Sequence, residues 1–104
     1  MPLNLEAFEK LVDTPRDNAA LRVSLGQLYL ERQNTRDAMR HLQKAVALDP
    51  DYSAAWKWLG RAATRHGDTG AARDAYETGI RVAADRGDVQ AAKEMQVFLR
   101  RLLA

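Results

Sequence analysis

Apolar residues recur at helical spacing along nearly the whole chain, and no stretch alternates with period two for long enough to make a strand. The pattern predicts six helices. Residues 1–13 give a short first helix capped by Asn4, with Leu5, Phe8, Leu11 and Val12 on one side. Asp13-Thr14-Pro15 stops it, because the residue before a proline is driven out of the helical region. A helix this short must lie against the next one. The second, 17–32, begins at Asp17 or Asn18 and carries a stripe of Leu21, Leu25, Leu28 and Tyr29. Gln33-Asn34 breaks it, and Asn34 suits a left-handed turn or a cap. The third, 35–48, turns Ala38, Leu42, Ala45, Val46 and Leu48 inward and ends at Asp49-Pro50. The fourth, 52–66, runs into His66-Gly67-Asp68, where Gly67 can adopt positive φ. The fifth, 69–85, carries Ala72, Tyr76, Ile80 and Val82. After a second turn at Arg86-Gly87-Asp88, the sixth, 88–103, carries Val89, Ala92, Met95, Phe98, Leu99, Leu102 and Leu103.

The pattern repeats. Leu59-Gly60 stands 34 residues after Leu25-Gly26, and the same offset pairs Ala54 with Ala20, Thr69 with Thr35 and Ala72 with Ala38. It also pairs bulky Tyr76 with Leu42, Ile80 with Val46 and Val82 with Leu48. A fixed period of this length with matched residue sizes marks a stacked helix–turn–helix unit. Gly26 and Gly60 lie inside helices, where glycine costs roughly 1 kcal/mol relative to alanine. The cost is tolerated where a neighbouring helix comes too close for a Cβ, and Ala38 and Ala72 are the expected small partners. Two tightly packed antiparallel hairpins in register follow.

These residues closely resemble the tetratricopeptide repeat family, with its Trp-x-x-Leu-Gly-x-x-Tyr, small Ala, aromatic and final Pro. Residues 53–86 supply Trp56, Leu59, Gly60, Ala72 and Tyr76, and depart at Ala63 and Ala84. Residues 19–52 supply Leu25, Gly26, Tyr29, Ala38, Leu42 and Pro50, and depart at Arg22, where Trp is common. The resemblance implies an all-α fold of antiparallel hairpins stacked as a right-handed superhelix. The expected division is an N-terminal helix (1–16), two repeats (19–52 and 53–86) and a capping helix (87–104). Two repeats are fewer than such arrays need, so the flanking helices are expected to cover the open faces.

Composition narrows the class. The 104 residues suit one domain, 46 % hydrophobic and 29 % charged. No apolar run reaches membrane-spanning length, and the first residues lack the basic and apolar regions of a secretory signal. With no cysteine, disulfide and thiolate chemistry are excluded, and a cytoplasmic location is expected. A net charge of +2 is too small to favour a nucleic-acid partner.

In the family the resemblance points to, first helices line a concave groove that binds peptides or protein termini. Here that surface would comprise Val23, Gln27, Leu30, Lys57, Trp58, Arg61 and Arg65, with Met95 from the sixth helix. Trp56 and Trp58 lie about 200° apart on a helix, so one apolar stripe cannot hold both. If Trp56 is the core residue, Trp58 is either an anchor for a partner or packing between first helices. Lys57, Arg61 and Arg65 form one basic line at i, i+4 and i+8. It reads as a solvated face or as an attractor of an acidic segment. Val23 and Gln27 do not supply the Lys and Asn of the family's carboxylate-binding members, so that full clamp is absent.

The remaining chemistry is sparse. His41 reads as a helix-surface residue and His66 as turn chemistry, with no metal-ligand spacing around either. No phosphate-binding loop or nucleophile–base spacing occurs, so neither a cofactor nor an enzyme is expected. Arg100-Arg101 complements a helix C-terminus. Apolar residues on several sides of the last helix suggest a partner surface or a homodimer contact. The expected object is a non-enzymatic, bacterial-type scaffold binding a protein or peptide segment, or else a self-associating subunit.

Overall fold

Asn and Asp side chains set where five of the six helices begin. The computed structural model describes residues 4–104, and among them it contains six helices and no strand. Asn4 caps α1 (Leu5–Glu9), Asn18 caps α2 (Ala19–Glu31) and Asn34 caps α3 (Thr35–Leu48). Asp68 caps α5 (Thr69–Asp85) and Asp88 caps α6 (Val89–Leu103), each side chain accepting from a free first-turn N–H. Only α4 (Ser53–His66) lacks a side-chain cap. Gly67 closes it at φ 87°, and Gly87 takes φ 72° after α5.

The predicted helices 35–48 and 69–85 coincide with α3 and α5, and the others shorten by one to three residues, except the first. Positions 1–3 of that segment lie outside the described residues. Its helix ends at Glu9 rather than reaching residue 13, passes through tight turns, and places Asp13 at φ 61°. Asp13 is held there by its N–H donating to the Asp17 carboxylate at 3.0 Å. Between α2 and α3 the left-handed residue is Gln33, at φ 61°, which frees Asn34 to cap.

The helices pair as α2–α3 and α4–α5 hairpins. α2 and α4 lie side by side, α1 rests on α2, and α6 lies on α5 and α4. The glycines set the spacing. A Cβ on Gly26 would sit 2.5 Å from Leu42 Cγ, and one on Gly60 would sit 2.4 Å from the Tyr76 ring. The notches therefore receive large side chains, not the expected Ala38 and Ala72, which are buried beside them. Leu42 and Tyr76 are themselves one period apart, so the repeating unit is a notch and its knob. A third notch escaped the sequence reading. A Cβ on Gly79 would meet Met95 Sδ at 2.5 Å and Trp56 Cβ at 2.7 Å, locking α4, α5 and α6 together. Leu48, expected inward, is 46 % exposed, because α3 ends there and leaves it at the rim.

Charge is buried where the family pattern has Trp. Arg22 is buried and donates to both Asp17 oxygens, at 3.0 and 2.7 Å, and to Asp13 at 3.3 Å. Its Nη1 lies 3.1 Å from His41 Nδ1. An arginine has only donors, and Arg40 Nη2 lies 3.4 Å from Nε2 as well, but the shorter Arg22 contact at Nδ1 and the Glu9 carboxylate at Nε2 favour a bare Nδ1 and a proton on Nε2. Nε2 reaches Glu9 Oε1 at 3.0 Å, and the Tyr29 hydroxyl donates to the same oxygen at 2.6 Å. Tyr29 also stacks on the His41 ring, with centroids 5.4 Å apart. His41 is therefore fully buried, not on the helix surface as expected. The expectation failed because its partners, Glu9 and Arg22, are remote in sequence. This network joins α1, α2 and α3.

Two predictions follow from this packing. Alanine substitution adds a Cβ, costing about 1–3 kcal/mol where the core cannot yield, against about 1 kcal/mol regained in helix propensity. Leu42 can pivot, the Tyr76 ring less so, and Trp56 Cβ is fixed to its backbone. Urea denaturation should therefore rank Gly79→Ala as most damaging, then Gly60→Ala, then Gly26→Ala. The second prediction concerns acid. Burial, first, and the Arg40 and Arg22 charges lower the His41 pKa below 6.5, with Glu9 opposing. Below pH 6.5 the unfolded chain then binds a proton that the folded chain lacks, so stability falls as pH falls. The Arg22 hydrogen bond likewise lowers Asp17 from 3.8 to about 2, so a second loss spans that lower interval. His41→Gln should flatten the first phase of a stability–pH curve and leave the second.

Candidate functional site

The α4 helix sits between α2 and α6, and its outward row holds Lys57, Trp58, Arg61 and Arg65. Trp58 is half-buried, packed against the core with its ring still partly open. Lys57 Nζ lies 5.4 Å from its centroid and Arg61 Cζ 5.0 Å, both within cation–π range. The Arg61 guanidinium also lies 5.2 Å from the Phe98 ring of α6. One cation thus bridges two aromatic rings on different helices. Lys57 reaches across as well, pairing with Glu94 of α6 at 3.7 Å. Trp56 lies on another side of α4, its indole N–H donating to the Pro50 carbonyl at 2.8 Å. The two tryptophans diverge as their spacing requires.

The other expected groove residues divide. Gln27 is half-buried and Arg65 exposed, so both keep surface to offer. Val23 and Leu30 are only 4 % and 3 % exposed and belong to the same buried cluster as Ala55, Leu59 and Ala62 of α4. They support the surface rather than present it, because α2 is covered by α1, α3 and α4 together. Met95 is likewise fully buried, packed over Gly79. The basic line is real but unequal. Lys57 is engaged and Arg61 is clamped, while Arg65 is free of any ion pair among the described residues.

Beyond Trp58 the row opens into a hollow of about 250 Å³. Tyr76, Phe98 and Leu102 line it, along with Arg61, Arg65 and Arg101. Burial pushes the Tyr76 hydroxyl up, while Thr64 and the Arg61 charge work against that. The sequence reading assigned Arg101 to the helix dipole and left Glu94 unread. Glu94, Phe98 and Arg101 share one α6 face, but only the seating of α6 on α4 shows what that face meets. A larger recess on the α3 side, near 660 Å³, is lined by Asp37, Arg40 and His66 among others. Its charges are partly matched, with Arg40 3.5 Å from Asp37 and Thr35 bonding His66 at 2.8 Å. Among the described residues there is no cluster of metal-binding side chains and no helix long and apolar enough to cross a membrane.

The clamped cation has a measurable consequence. Arg61→Met should lower stability by about 1 kcal/mol, the usual scale for a partly desolvated cation–π contact. Arg65→Met, with no partner to lose, should stay within about 0.5 kcal/mol. A double-mutant cycle of Arg61→Met with Phe98→Leu, followed by urea denaturation, should return a coupling energy clearly above zero.

The geometry can be set beside known proteins. A tetratricopeptide repeat model matches residues 23–89. The chain is 49 % identical over 98 residues to the TPR repeat-containing protein PA0015 of Pseudomonas aeruginosa, covering 94 % of this chain and 93 % of that one. The solution structure of protein BPP2914 from Bordetella parapertussis is 45 % identical and superposes with a TM-score of 0.82, covering 99 % of this chain and 90 % of that one. A tetratricopeptide repeat domain protein of Salinibacter ruber is 29 % identical, with a TM-score of 0.76, over 84 % of this chain and 98 % of that one. Proteins of this kind are non-enzymatic repeat scaffolds that generally mediate protein–protein interactions. With its notched hairpins, its helical repeat fold and these relatives, the chain belongs to the tetratricopeptide repeat family.

Proposed function

We propose that this protein is a binding module that holds a segment of another protein against the surface formed by α2, α4 and α6. The observation that carries the reading is Trp58, a large ring that stays partly open although Lys57, Arg61 and the core fix it in place. A preset aromatic anchor loses little freedom when a partner covers it, so little of the contact energy goes into ordering. Aromatic and arginine side chains dominate such contacts, and this row supplies both. Gln27 and Arg65 extend the surface to either side, and Val23 and Leu30 stiffen it from below. Arg61 and Arg65, neither in an ion pair among the described residues, add positive charge suited to an acidic segment.

A second reading uses the end of α6. Leu103 is 54 % exposed, and Leu99 and Leu102 are half-buried, an apolar edge that a second copy could cover. Size-exclusion chromatography with light scattering should then show a dimer that Leu103→Ser disperses.

The groove reading is tested by affinity capture from the source cell with the native protein, Trp58→Ala and Val89→Ser. Trp58→Ala should keep its helical circular dichroism and lose the captured protein. Val89→Ser, exposed at the start of α6, should retain it. Equal capture by all three would remove Trp58 from the binding surface.

A further inference from the structure

We propose that the hollow between α4 and α6 seats one bulky apolar side chain of an acidic peptide, with the flanking carboxylates held by Arg61, Arg65 and Arg101. The inference rests on the binding-module reading above and names the chemistry of the bound segment. The hollow has an apolar floor and a cationic rim. Phe98, Leu102 and the Tyr76 ring supply its apolar lining, Thr64 lines it too with its hydroxyl donating to the Gly60 carbonyl at 2.7 Å, and three guanidinium groups stand around it. None of the three has an ion-pair partner among the described residues, although five of the six ion pairs found there engage other arginines or lysine. Lys57, on the same row, is already neutralised by Glu94, so the unmatched charge lies at the hollow rather than along the whole helix.

Size narrows the occupant. A hollow of about 250 Å³ falls below the 300–1,000 Å³ common for small-molecule sites, and suits a single side chain. Its three cations present planar forks that match carboxylates two at a time. Arg61 is the most constrained, fixed between Trp58 and Phe98, and so aims its free N–H groups with little loss of freedom. A nucleic acid fits less well. The Phe98 ring already carries a guanidinium on its face, which removes a stacking platform for bases. A peptide with a leucine-sized residue between Asp and Glu satisfies both halves of the site.

The test uses fluorescence anisotropy with three labelled peptides. One has a central Leu flanked by Asp and Glu, one has Ser in place of that Leu, and one has Lys in place of the acids. The first should bind, and the other two several-fold more weakly. Arg65→Glu and Arg101→Glu should each weaken the first peptide about five-fold or more. Arg81→Glu, exposed on α5, should leave it unchanged. Thermal melts should show all three variants folded. Equal binding of the Leu and Ser peptides overturns the apolar seat, and insensitivity to the Arg65 and Arg101 reversals overturns the cationic rim. Displacement of the first peptide by single-stranded DNA at equal charge concentration overturns the assignment to peptide. If Trp58→Ala abolishes cellular capture while the two reversals leave it intact, the hollow is set aside and the groove stands. If none of these variants alters any binding, both readings fall.

Discussion

The absence of a side chain at three helix positions determines how near the helices of this protein can come. Gly26, Gly60 and Gly79 are notches, filled by Leu42, Tyr76 and Met95 with Trp56. Hydrogen in place of a methyl group costs each helix some intrinsic stability. The close approach returns it through dispersion contacts that a wider spacing would forfeit. The consequence for function is positional. With α5 drawn close to α4 at Gly60, and α6 drawn onto both at Gly79, the side chains between α4 and α6 have few alternative positions. Arg61 meets Phe98 because Met95, one turn earlier on α6, is locked over Gly79.

The repeat was legible because its constraints are local. Notch and knob lie within one hairpin, so a fixed offset in the sequence reports them. Asn and Asp caps are more local still, and the three helix starts read from them agree with the structure to within a residue or two. Gly79 was missed because its partners, Trp56 and Met95, come from two other helices, and nothing at helical spacing marks the meeting. His41 was misread for the same reason. A lone histidine on a helix looks like surface until Glu9, Arg22 and Tyr29 are found around it. Arg22 could have prompted the question, since it occupies a position where the family's pattern has a large apolar ring.

That substitution shows how one end of the array differs from the other. Repeat two fills the position with Trp56, whose apolar bulk helps close the α4–α5–α6 contact. Repeat one fills it with a cation, and a cation buried alone would be costly. Two aspartates and His41 contact it instead, Glu9 and Tyr29 hold that ring in turn, and no buried polar side-chain atom among the described residues is left without a partner. The arrangement turns a short and weakly helical first segment into a fixed cover, because Glu9 is held by both Tyr29 and His41. Hydrogen-bond direction does what apolar area cannot do for a five-residue helix.

The candidate site was half legible for a related reason. Spacing alone separates Trp58 from Trp56 and aligns Lys57, Arg61 and Arg65, since those facts belong to one helix. Which residue of that line stays uncommitted belongs to a pair of helices. Glu94 answers Lys57, Phe98 pins Arg61 without answering its charge, and Arg61 and Arg65 stay unpaired, joined by Arg101 across the hollow. The same argument reorders the groove residues. Val23 and Leu30 sit on the expected face of α2, but α4 comes near enough to submerge them in the common core. Tight packing thus moves the open surface away from the middle of the array and toward α6. The exposed chemistry that could recognise a partner therefore gathers where the array ends, around the rings and guanidinium groups that α6 brings to α4.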